Sequence, residues 1–385
     1  MTIRNPVLFL LVLLGAAGTV PFGIVTVAPN RLLSGRAVAL WDGGESLLGA
    51  AIAGIALVLL MAAFARPSRT VHRAVLSFAS AALILLVLMV GAIAHDQVAG
   101  DEFKRVAPGA AFWIAAFCAT MAVVDAMQRL RTTLALRALI AVSILGLLLM
   151  IALAGTFDSL SLAQEYRTHR DAFASEIGRH VALVLGSVAP ALIVGIPLGI
   201  AALRSRRLRE PLFAALNLLQ TIPSVALFAL LIAPLAFLAA AVPPLGRLGI
   251  HGIGATPAVI ALALYALLPI ARYTFAGLGT VDAGVIDSAN AMGMTKAQVF
   301  RRVELPLALP TLIAGLRIVT VQGIGLAVVA ALIGAGGLGS FVFQGIGQGA
   351  IDLVLLGAIP TIGLALAADF ALLVIADLLR RRMAR

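Results

Sequence analysis

The sequence predicts an all-α polytopic membrane protein with about ten transmembrane helices. Hydrophobic residues make up 62% of the 385 residues, and the mean hydropathy is +1.10. Only 12% of the residues are charged, whereas a typical soluble domain has roughly 25%. Apolar runs of about 18 residues or more recur along the whole chain, and each is long enough to cross about 30 Å of hydrocarbon. Little of the chain is left for a soluble domain.

The ten predicted spans follow these apolar runs in chain order. They cover residues 6–27, 46–65, 74–94, 108–126, 138–154, 181–203, 212–241, 256–277, 311–335 and 351–379. The first run ends in "TVAPNRLL", without the small-residue cleavage site of a signal peptide, so we interpret it as a retained span. The seventh run contains Pro223 and Pro234, and we interpret it as one long, kinked passage.

The basic residues predict the orientation of the chain. With the N-terminus inside, 18 of the 28 lysines and arginines lie on the inner side and 8 on the outer side, while Arg272 and Arg317 lie within or at the ends of spans. Basic residues favour the cytoplasmic side of a membrane. Two short spans in place of the seventh passage would put the C-terminal "RRRMAR" outside, against this bias. We therefore predict that both termini and residues 287–310 are cytoplasmic.

The longest polar connection, "GTFDSLSLAQEYRTHRDAFASEIGRH", divides the chain into two halves. We predict an N-terminal transmembrane extension of about five spans over residues 1–154 and an outer connecting loop over 155–176. A second transmembrane domain follows over residues 177–380. The last five spans are interrupted by prolines and glycines in a pattern that the first five lack, and no repeat relates the two halves.

The common motifs of catalysis and metal binding do not occur in the chain. Lys104 and Lys296 are the only lysines, and neither follows a glycine, which excludes a GxxxxGK[ST] phosphate loop. HExxH, CxxC and GxSxG are missing, and Cys118 is the single cysteine. The histidines have no metal-ligand spacing, and we interpret all five as solvated loop residues: His72, His95, His169, His180 and His251. The sequence thus predicts no catalytic residue, no metal, no cofactor and no enzymatic activity. We attribute the net charge of +11 to the basic residues that orient the chain in the membrane, and we predict no nucleic-acid partner.

Of the ionisable residues in the predicted spans, Arg317 and Asp369 are the two that qualify as candidates for function. Charges inside the membrane are candidates for function because burying them is costly. Both residues lie in the predicted cytoplasmic half, so we predict an intramembrane ion pair. A purely structural pair, or an arginine whose side chain extends to the inner surface, is the alternative. Two such groups are too few for a proton relay.

The stretch "NLLQTIPSVALF" gathers polar residues inside one predicted span. Its members are Asn217, Gln220, Thr221 and Ser224, around Pro223. A proline frees a backbone carbonyl one turn earlier, which side chains or water in a pathway must satisfy. These residues are therefore a candidate translocation path. Interhelical hydrogen bonds that only hold the bundle together explain the same residues.

Glycines are dense in "LIGAGGLGSFVFQGIGQGAIDL", at the predicted outer end of a span. Glycine allows close backbone approach and flexible joints. A gate or docking surface at the outer mouth and a plain flexible loop are both consistent with this pattern.

The segment "DSANAMGMTKAQVFRRVELPLALP", residues 287–310, interrupts the apolar sequence on the predicted cytoplasmic side. We predict a short amphipathic helix over 287–302, with Pro306 ending that helix or starting the next one. Pro310 fits near the first turn of the following span, where a missing N–H costs little. A rigid helix between two spans acts as a mechanical lever, and the alternative is an ordinary connecting loop.

This segment resembles the cytoplasmic signature of ABC importer permeases, which contains a Glu-Ala-Ala triplet, a glycine and Ile-x-Leu-Pro. The corresponding residues are Asp287, Ser288 and Ala289 for the triplet, Gly293 for the glycine, and Val303, Glu304, Leu305 and Pro306 for the end. Asp for Glu, Ser for Ala and Val for Ile are departures from the pattern. The resemblance implies that these residues form the helix that docks into a cleft of the ATPase subunit.

The resemblance extends beyond the signature. "VGIPLGI", "NLLQTIPSVALFALL" and "ALIGAGGLG" are similar to the osmoprotectant branch of these permeases, which imports glycine betaine, choline or related compounds. In the N-terminal half, "VPFGIVTVAPNRLLSG" and "DSLSLAQEYRTHRDAF" resemble the longer betaine permeases with extra leading spans. The resemblance implies a type I ABC importer permease core over residues 177–380.

These similarities lead to a functional hypothesis: a permease subunit of an osmoprotectant ABC importer in the bacterial inner membrane. The resemblance implies three kinds of partner, namely a cytoplasmic ATPase subunit, a second permease subunit, identical or paralogous, and an external solute-binding protein. One alternative is an ABC permease for another small solute, such as an amino acid or a sulfonate. An ion-coupled secondary carrier is the other alternative, and it normally has an inverted repeat that this chain lacks.

Overall fold

The computed structural model describes residues 2–31, 33, 35–42, 46–99, 101, 103–247 and 249–383. Two compact units divide the chain, Met1–Thr168 and His169–Arg385. The division falls inside the predicted connecting loop, which contains a short helix and the first turns of a long one.

The N-terminal unit combines six helices with three short strands. In chain order they are α1 Pro6–Thr19, β1 Val25–Ala28, β2 Arg36–Val38, α2 Ser46–Phe64, α3 Arg69–Val98, β3 Arg105–Pro108, α4 Ala110–Arg129, α5 Leu134–Leu153 and α6 Ser161–Thr168. The strands form one antiparallel sheet in the order β2-β1-β3. This small sheet is an addition that the sequence did not predict to a chain that is otherwise helical, as expected.

The first predicted span, 6–27, is wrong in its second half. The Asn5 side chain caps α1 by accepting a hydrogen bond from the Leu8 amide at 3.1 Å, and the helix is only 14 residues long. Such a helix measures about 21 Å, less than the roughly 30 Å of a bilayer core. Pro21 cannot continue the helix, and the β-branched residues at 25–27 favour the strand that follows.

Two separate apolar cores stabilise this unit. The sheet core joins the strands to α3 and α4 through residues such as Ile24, Met89 and Phe112. The helix core joins α1, α2, α3 and α4 through residues such as Leu8 and Ala79. Each core removes apolar side chains from contact with water or lipid, so the unit has its own packing independent of the second unit.

The described residues of the C-terminal unit form helices and the turns that connect them, without a strand. Its helices are α7 Arg170–Arg204, α8 Arg206–Thr221, α9 Ser224–Ala241, α10 Pro243–Arg247, α11 Ala255–Gly279, α12 Ala283–Ala291, α13 Lys296–Val299, α14 Leu305–Val329, α15 Gly339–Gln348 and α16 Ile351–Met383. A π-helical turn, Phe300–Glu304, precedes α14, and a 3₁₀ turn, Ala330–Ile333, follows it.

Helices α7 and α11 pack closely against each other through two glycines. A Cβ atom at Gly195 would lie 2.7 Å from a methyl carbon of Ile270, and one at Gly199 would lie 2.6 Å from the Ala271 carbonyl oxygen. The two glycines are four residues apart, so they lie on one face of α7 and let the backbones approach, as small residues do in membrane helices.

The prediction of a polytopic helical membrane protein is confirmed. Within the described ranges, nine helices are long and apolar enough to cross a membrane, and α1 is a shorter apolar helix. They correspond in order to the predicted spans from the second to the last.

The seventh predicted span, 212–241, is not one kinked helix. The helix is interrupted at Ile222 and Pro223, between α8 and α9, while the polypeptide continues. Helix α9 is 18 residues long and apolar enough to cross the membrane alone, whereas α8 begins earlier than predicted, in an arginine-rich stretch. Pro234 lies inside α9 without ending it.

Candidate coupling segment and solute path

The predicted lever is two short helices joined by a turn, so the prediction of one helix over 287–302 is wrong. Helix α12 ends in a Schellman motif: the Met294 amide donates to the Ala289 carbonyl at 3.2 Å, and the Gly293 amide donates to the Asn290 carbonyl at 2.9 Å. Gly293 has a φ of +78°, and a Cβ atom there would have no neighbour within 4 Å. Glycine is required here by the left-handed backbone and not by crowding within the chain.

A capping box starts α13 immediately after this turn. The Thr295 side chain accepts from the Gln298 amide, and the Gln298 side chain accepts from the Thr295 amide at 2.8 Å. Ala289 and Val299 are buried, with exposed fractions of 2% and 4%, and α12 contacts α13. Asp287 is exposed, as is Ser288 beside it, so the turn presents one polar surface and one packed surface.

The π-helical turn joins α13 to α14 without a break. The Leu305 amide donates to the Phe300 carbonyl, five residues earlier. The wide turn ends just before Pro306, the second residue of α14, whose nitrogen carries no hydrogen. Val303 and Glu304 are half-buried within it. Pro310 lies in the second turn of α14 and not in its first. We name residues 283–304 the coupling segment.

Arginine and aromatic side chains connect the coupling segment to the end of α7. The Arg204 guanidinium, in the last turn of α7, lies 5.7 Å from the centre of the Phe300 ring. Arg209 lies 4.7 Å from the centre of the Phe275 ring, and its Nε donates to the Ala202 carbonyl at 3.1 Å. Cations are attracted to the faces of aromatic rings at these distances. The ends of α7, α8 and α11 are thereby joined beside the coupling segment.

The same cluster continues to the predicted solute path. Phe213 packs edge-on against Phe275 with ring centres 5.6 Å apart, and Arg272 lies 5.7 Å from the Phe213 ring centre. Arg272 Nη2 also donates to Asn217 Oδ1 at 3.0 Å. Arg272, counted neither inside nor outside in the sequence, therefore bridges α11 to α8.

The break between α8 and α9 is fixed to α11 by two reciprocal hydrogen bonds. Gln220 Nε2 donates to the Tyr265 carbonyl at 2.9 Å, and the Tyr265 hydroxyl donates to the Ile222 carbonyl. Pro269, four residues after Tyr265, supplies no N–H for that carbonyl, so Gln220 takes the place of the missing donor. The role of Tyr265 in this bridge was not predicted from the sequence, although the proline four residues later was a usable indication.

The other predicted path residues, Thr221, Pro223 and Ser224, lie at the break between α8 and α9. The Thr221 hydroxyl donates within its own helix, to the Leu218 carbonyl at 2.7 Å. Pro223 is the N-cap of α9, and Ser224 is the first, half-buried residue of that helix. The structure thus gives Asn217 and Gln220 partners on another helix and Thr221 a partner on its own.

Arg317 and Asp369 lie together between α14 and α16. Arg317 Nη2 and Asp369 Oδ2 are 2.9 Å apart, and Arg317 Nε also contacts Asp369 Oδ1. This two-pronged geometry is the strong form of an arginine–carboxylate pair. The side chains are 39% and 33% exposed in the isolated chain, so the pair lies at the side of the helix bundle.

The glycine-rich stretch after the 3₁₀ turn packs on the first part of α7. Gly336 and Gly337 have φ values of +75° and +84°, and the Gly337 amide donates to the Glu176 carboxylate. His180 is completely buried beside Gly337, and its Nε2 lies 3.0 Å from the Ile324 carbonyl oxygen. The interpretation of His180 as a solvated loop residue is therefore wrong: α7 begins at Arg170 and carries it into the core.

Among the described residues, no group of His, Cys, Asp and Glu side chains is placed to hold a metal ion. The site is thus a set of helix junctions and polar bridges.

Comparison with known proteins follows the same division of the chain. Residues 191–385, half of the chain, match the family "Binding-protein-dependent transport system inner membrane component". The chain belongs to this family. Its N-terminal residues 4–163 match a second family, "ABC transporter permease YehY, N-terminal domain". The resemblance to ABC importer permeases is confirmed for this transport-system component.

Characterised relatives of the transport-system component carry osmoprotectant names. The glycine betaine/carnitine/choline transport system permease protein of Bacillus subtilis is 40% identical over 198 residues, which are 51% of this chain and 80% of that protein. The osmoprotectant import permease protein of Salmonella typhimurium is 41% identical over 194 residues, covering 50% and 85%. An inward-facing structure of the MetNI methionine ABC transporter covers 54% of this chain and 95% of that chain, with 25% identity and a TM-score of 0.46.

Proposed function

We propose that this chain is one of two permease subunits in an ABC importer that carries osmoprotectants such as glycine betaine, choline or carnitine. Membership of the binding-protein-dependent family supports the transport role, and the names of relatives about 40% identical support the solute class. The observation that supports the mechanism is the coupling segment. It consists of two short helices, α12 and α13, and continues through the π-helical turn into the start of α14.

The exposed face of the coupling segment is the docking surface for an ATPase subunit. Met292 is 71% exposed and Val285 is 44% exposed, and they lie two helical turns apart on one face of this stretch. Large apolar side chains exposed on a polar segment are typical of protein contacts. The polar residues of the signature, Asp287 and Ser288, lie on the same exposed helix.

Movement of the ATPase subunits reaches the membrane helices by two routes. The first is covalent, because the π-helical turn at 300–304 continues into α14 without a flexible connection. The second is the contact between Phe300 and Arg204, which leads to α7 and on to the arginine and aromatic cluster beside α8. Helix movement of this kind opens the pore alternately to each side.

The solute path follows the break between α8 and α9. Irregular backbone at membrane depth is found where it is buried in protein or lines a cavity, and this break contains Asn217, Gln220 and the Ile222 carbonyl. A quaternary ammonium is bound best by several aromatic faces. Two aromatic residues beside the break, Tyr265 and Phe228, are buried in one apolar core, so we assign selection of the solute mainly to an external binding protein.

ATP hydrolysis belongs to a separate cytoplasmic subunit, since neither of the two lysines follows a glycine. The expected result is no ATPase activity above background in a preparation of this chain freed of partner subunits. The bias of basic residues supports cytoplasmic positions for both termini and for the coupling segment.

The proposal is tested by placing a charge in the turn of the coupling segment. Gly293→Asp puts a side chain on the docking surface, where the free chain has open space, so the spans remain inserted while docking fails. We expect loss of both glycine betaine uptake and ATPase pull-down, compared with wild type at equal amounts in the membrane.

Gly249→Asp is the matched control. Gly249 also has a positive φ, +87°, and open space around a Cβ atom, but it lies on the predicted outer side. The backbone strain is therefore the same without contact to the ATPase. Normal uptake by Gly293→Asp, or equal loss of pull-down in both variants, contradicts the docking role of the turn.

A further inference from the structure

A cavity of about 300 Å³ lies inside the N-terminal unit, surrounded by α1, α2, α3 and α4. It shares Leu59 and Ala122 with the helix core, and Leu40 and Leu86 with the sheet core. The cavity is therefore a defined space between two packed regions and not a sign of loose packing throughout the unit.

Small residues on all four helices create this space. They include Gly15 and Ala16 on α1, Ala53 and Ala56 on α2, Ala82 on α3, and Ala115 and Ala119 on α4. Protein interiors normally contain few voids larger than a water molecule. A leucine at any of several of these positions would fill the space, so this combination of residues keeps the cavity open.

The walls of the cavity exclude a charged or zwitterionic ligand. None of the described residues that line it is charged, and the polar groups are limited to Thr19, Trp41 and Cys118. The Thr19 hydroxyl already donates to the Ala16 carbonyl at 2.7 Å. A betaine would lose its hydration here without gaining partners. An apolar cavity of about 150 Å³ is enough to bind benzene, so this larger one suits a hydrocarbon.

We propose that the cavity binds one acyl chain of a membrane phospholipid. The helices around it present large apolar side chains outward, such as Leu13 and Leu57, which are 51% and 57% exposed and lie in lipid. Phospholipid tails are therefore the most concentrated apolar molecules beside the cavity. Trp41, 61% exposed, lies at one end of it, and tryptophan favours the level of the lipid headgroups. The chain enters from that end, with the headgroup beside Trp41.

The cavity contains its own reporter, because Cys118 is the only cysteine of the chain, is 7% exposed and forms part of the wall. The full-length chain is purified in digitonin, a steroid detergent that supplies no alkyl chain, and alkylated with N-ethylmaleimide. Dioleoylphosphatidylglycerol should slow the alkylation about ten-fold at a concentration about ten times its Kd.

Dihexanoylphosphatidylglycerol, which has the same headgroup on short chains, should protect Cys118 much less. Equal protection by both lipids would show that the headgroup is bound and would overturn the proposal. An alkylation rate that neither lipid changes would also overturn it.

A second measurement uses variants that fill the cavity. Ala56→Leu fills it, and Ala51→Leu makes the same change on an exposed position of α2 outside it. By native mass spectrometry, wild type and Ala51→Leu should retain a phospholipid that Ala56→Leu has lost. Gly15→Ala is the milder variant if Ala56→Leu does not insert, because its Cβ atom would lie at an ordinary 3.5 Å from Cys118 Cβ. Equal lipid retention in all variants contradicts the proposal, whatever the outcome of the transport experiments.

Discussion

Gln220 and Tyr265 together repair two interruptions of the backbone, one on each of two helices. Pro269 leaves the Tyr265 carbonyl without its helical donor, and the break at Pro223 leaves the Ile222 carbonyl free. Each freed carbonyl accepts a hydrogen bond from a side chain of the other helix. Because hydrocarbon supplies no hydrogen-bond donors, these two bonds make the break tolerable and hold it against α11.

Removing the Gln220 amide should therefore destabilise the chain. Gln220→Leu leaves the Tyr265 carbonyl unpaired, and we expect a loss of about 1–3 kcal/mol in the free energy of unfolding, seen as a lower melting temperature in detergent. Adding Pro269→Ala should restore part of this loss, because alanine at 269 supplies the missing N–H.

Thr221→Val is the control for this pair, since the Thr221 hydroxyl is exposed and bonds only within its own helix. It should melt close to wild type. If Pro269→Ala gives no rescue, the Gln220 bond is not a substitute for the missing backbone donor.

The ion pair of Arg317 and Asp369 should behave as a unit. Arg317→Gln or Asp369→Asn leaves one charge without its partner. We expect each substitution to lower the free energy of unfolding by about 1–2 kcal/mol. This is less than the roughly 3–5 kcal/mol of a fully buried pair, because the side chains are 39% and 33% exposed. The double variant should be more stable than either single variant in thermal unfolding. Additive losses would mean that the two residues stabilise the chain independently.

At the scale of elements, the coupling segment is attached differently at its two ends. A short connection with Asp282 as its last residue leads from α11 into α12, whereas the π-helical turn leads from α13 into α14 without interruption. In the proposed mechanism, the segment therefore acts most directly on α14, and the Phe300 contact with Arg204 adds α7.

Phe300→Leu tests the route to α7. Leucine keeps an apolar side chain but removes the aromatic face, and a cation–π contact contributes about 0.5–2 kcal/mol. We expect uptake to fall by about 2- to 30-fold while ATPase pull-down remains normal. This pattern differs from that of Gly293→Asp, which should lose both.

Phe237→Leu makes the same change at a position of α9 that is 75% exposed and serves as the control, with unchanged uptake. Loss of pull-down in Phe300→Leu would show that Phe300 belongs to the docking surface itself.

Sequence alone predicted the order and approximate position of the long helices, because length and hydropathy are local properties. It did not predict β1, since an apolar β-branched stretch after a helix has the same hydropathy as more helix. The helix predicted over 287–302 runs through Gly293, where α12 ends in a turn instead. Helices α12 and α13 contact each other across this turn, and Ala289 and Val299 are buried.

The candidate site was predictable in its residue types but not in its contacts. The pairing of Gln220 with Tyr265 joins residues 45 positions apart, and that of Arg204 with Phe300 spans still more of the chain. His180 was misassigned because its helix extends well beyond the apolar run. Such contacts depend on how the helices pack, which a single sequence does not specify.

At the scale of the whole molecule, the two structural units coincide with two separate family matches. Residues 4–163 lie in the first unit, and residues 191–385 lie in the second. The coupling segment, the broken passage and the ion pair all belong to the second unit. Within the proposed transporter, the import machinery is therefore concentrated in the C-terminal half.

The orientation of the molecule can be tested with single cysteines in a Cys118→Ala background. Gly249→Cys and Leu33→Cys lie on the predicted outer side and should react with a membrane-impermeant maleimide in intact cells. Ser205→Cys lies between α7 and α8 on the predicted inner side and should react only after the cells are opened. Labelling of Ser205→Cys in intact cells would reverse the orientation of the second unit, and protection of Leu33→Cys would mean that α1 does not cross.

The 14-residue length of α1 has a consequence for the bilayer around it. As a crossing helix, α1 is about 21 Å long, much shorter than α3 with its 30 residues, and the difference produces hydrophobic mismatch along one edge of the N-terminal unit. Lipids at that edge must thin or tilt, at a cost of fractions of a kcal/mol per Å. A second protein that covers this edge would relieve the deformation of the bilayer. The membrane therefore favours association of other proteins along α1. The stability of the protein should depend most on bilayer thickness at this edge.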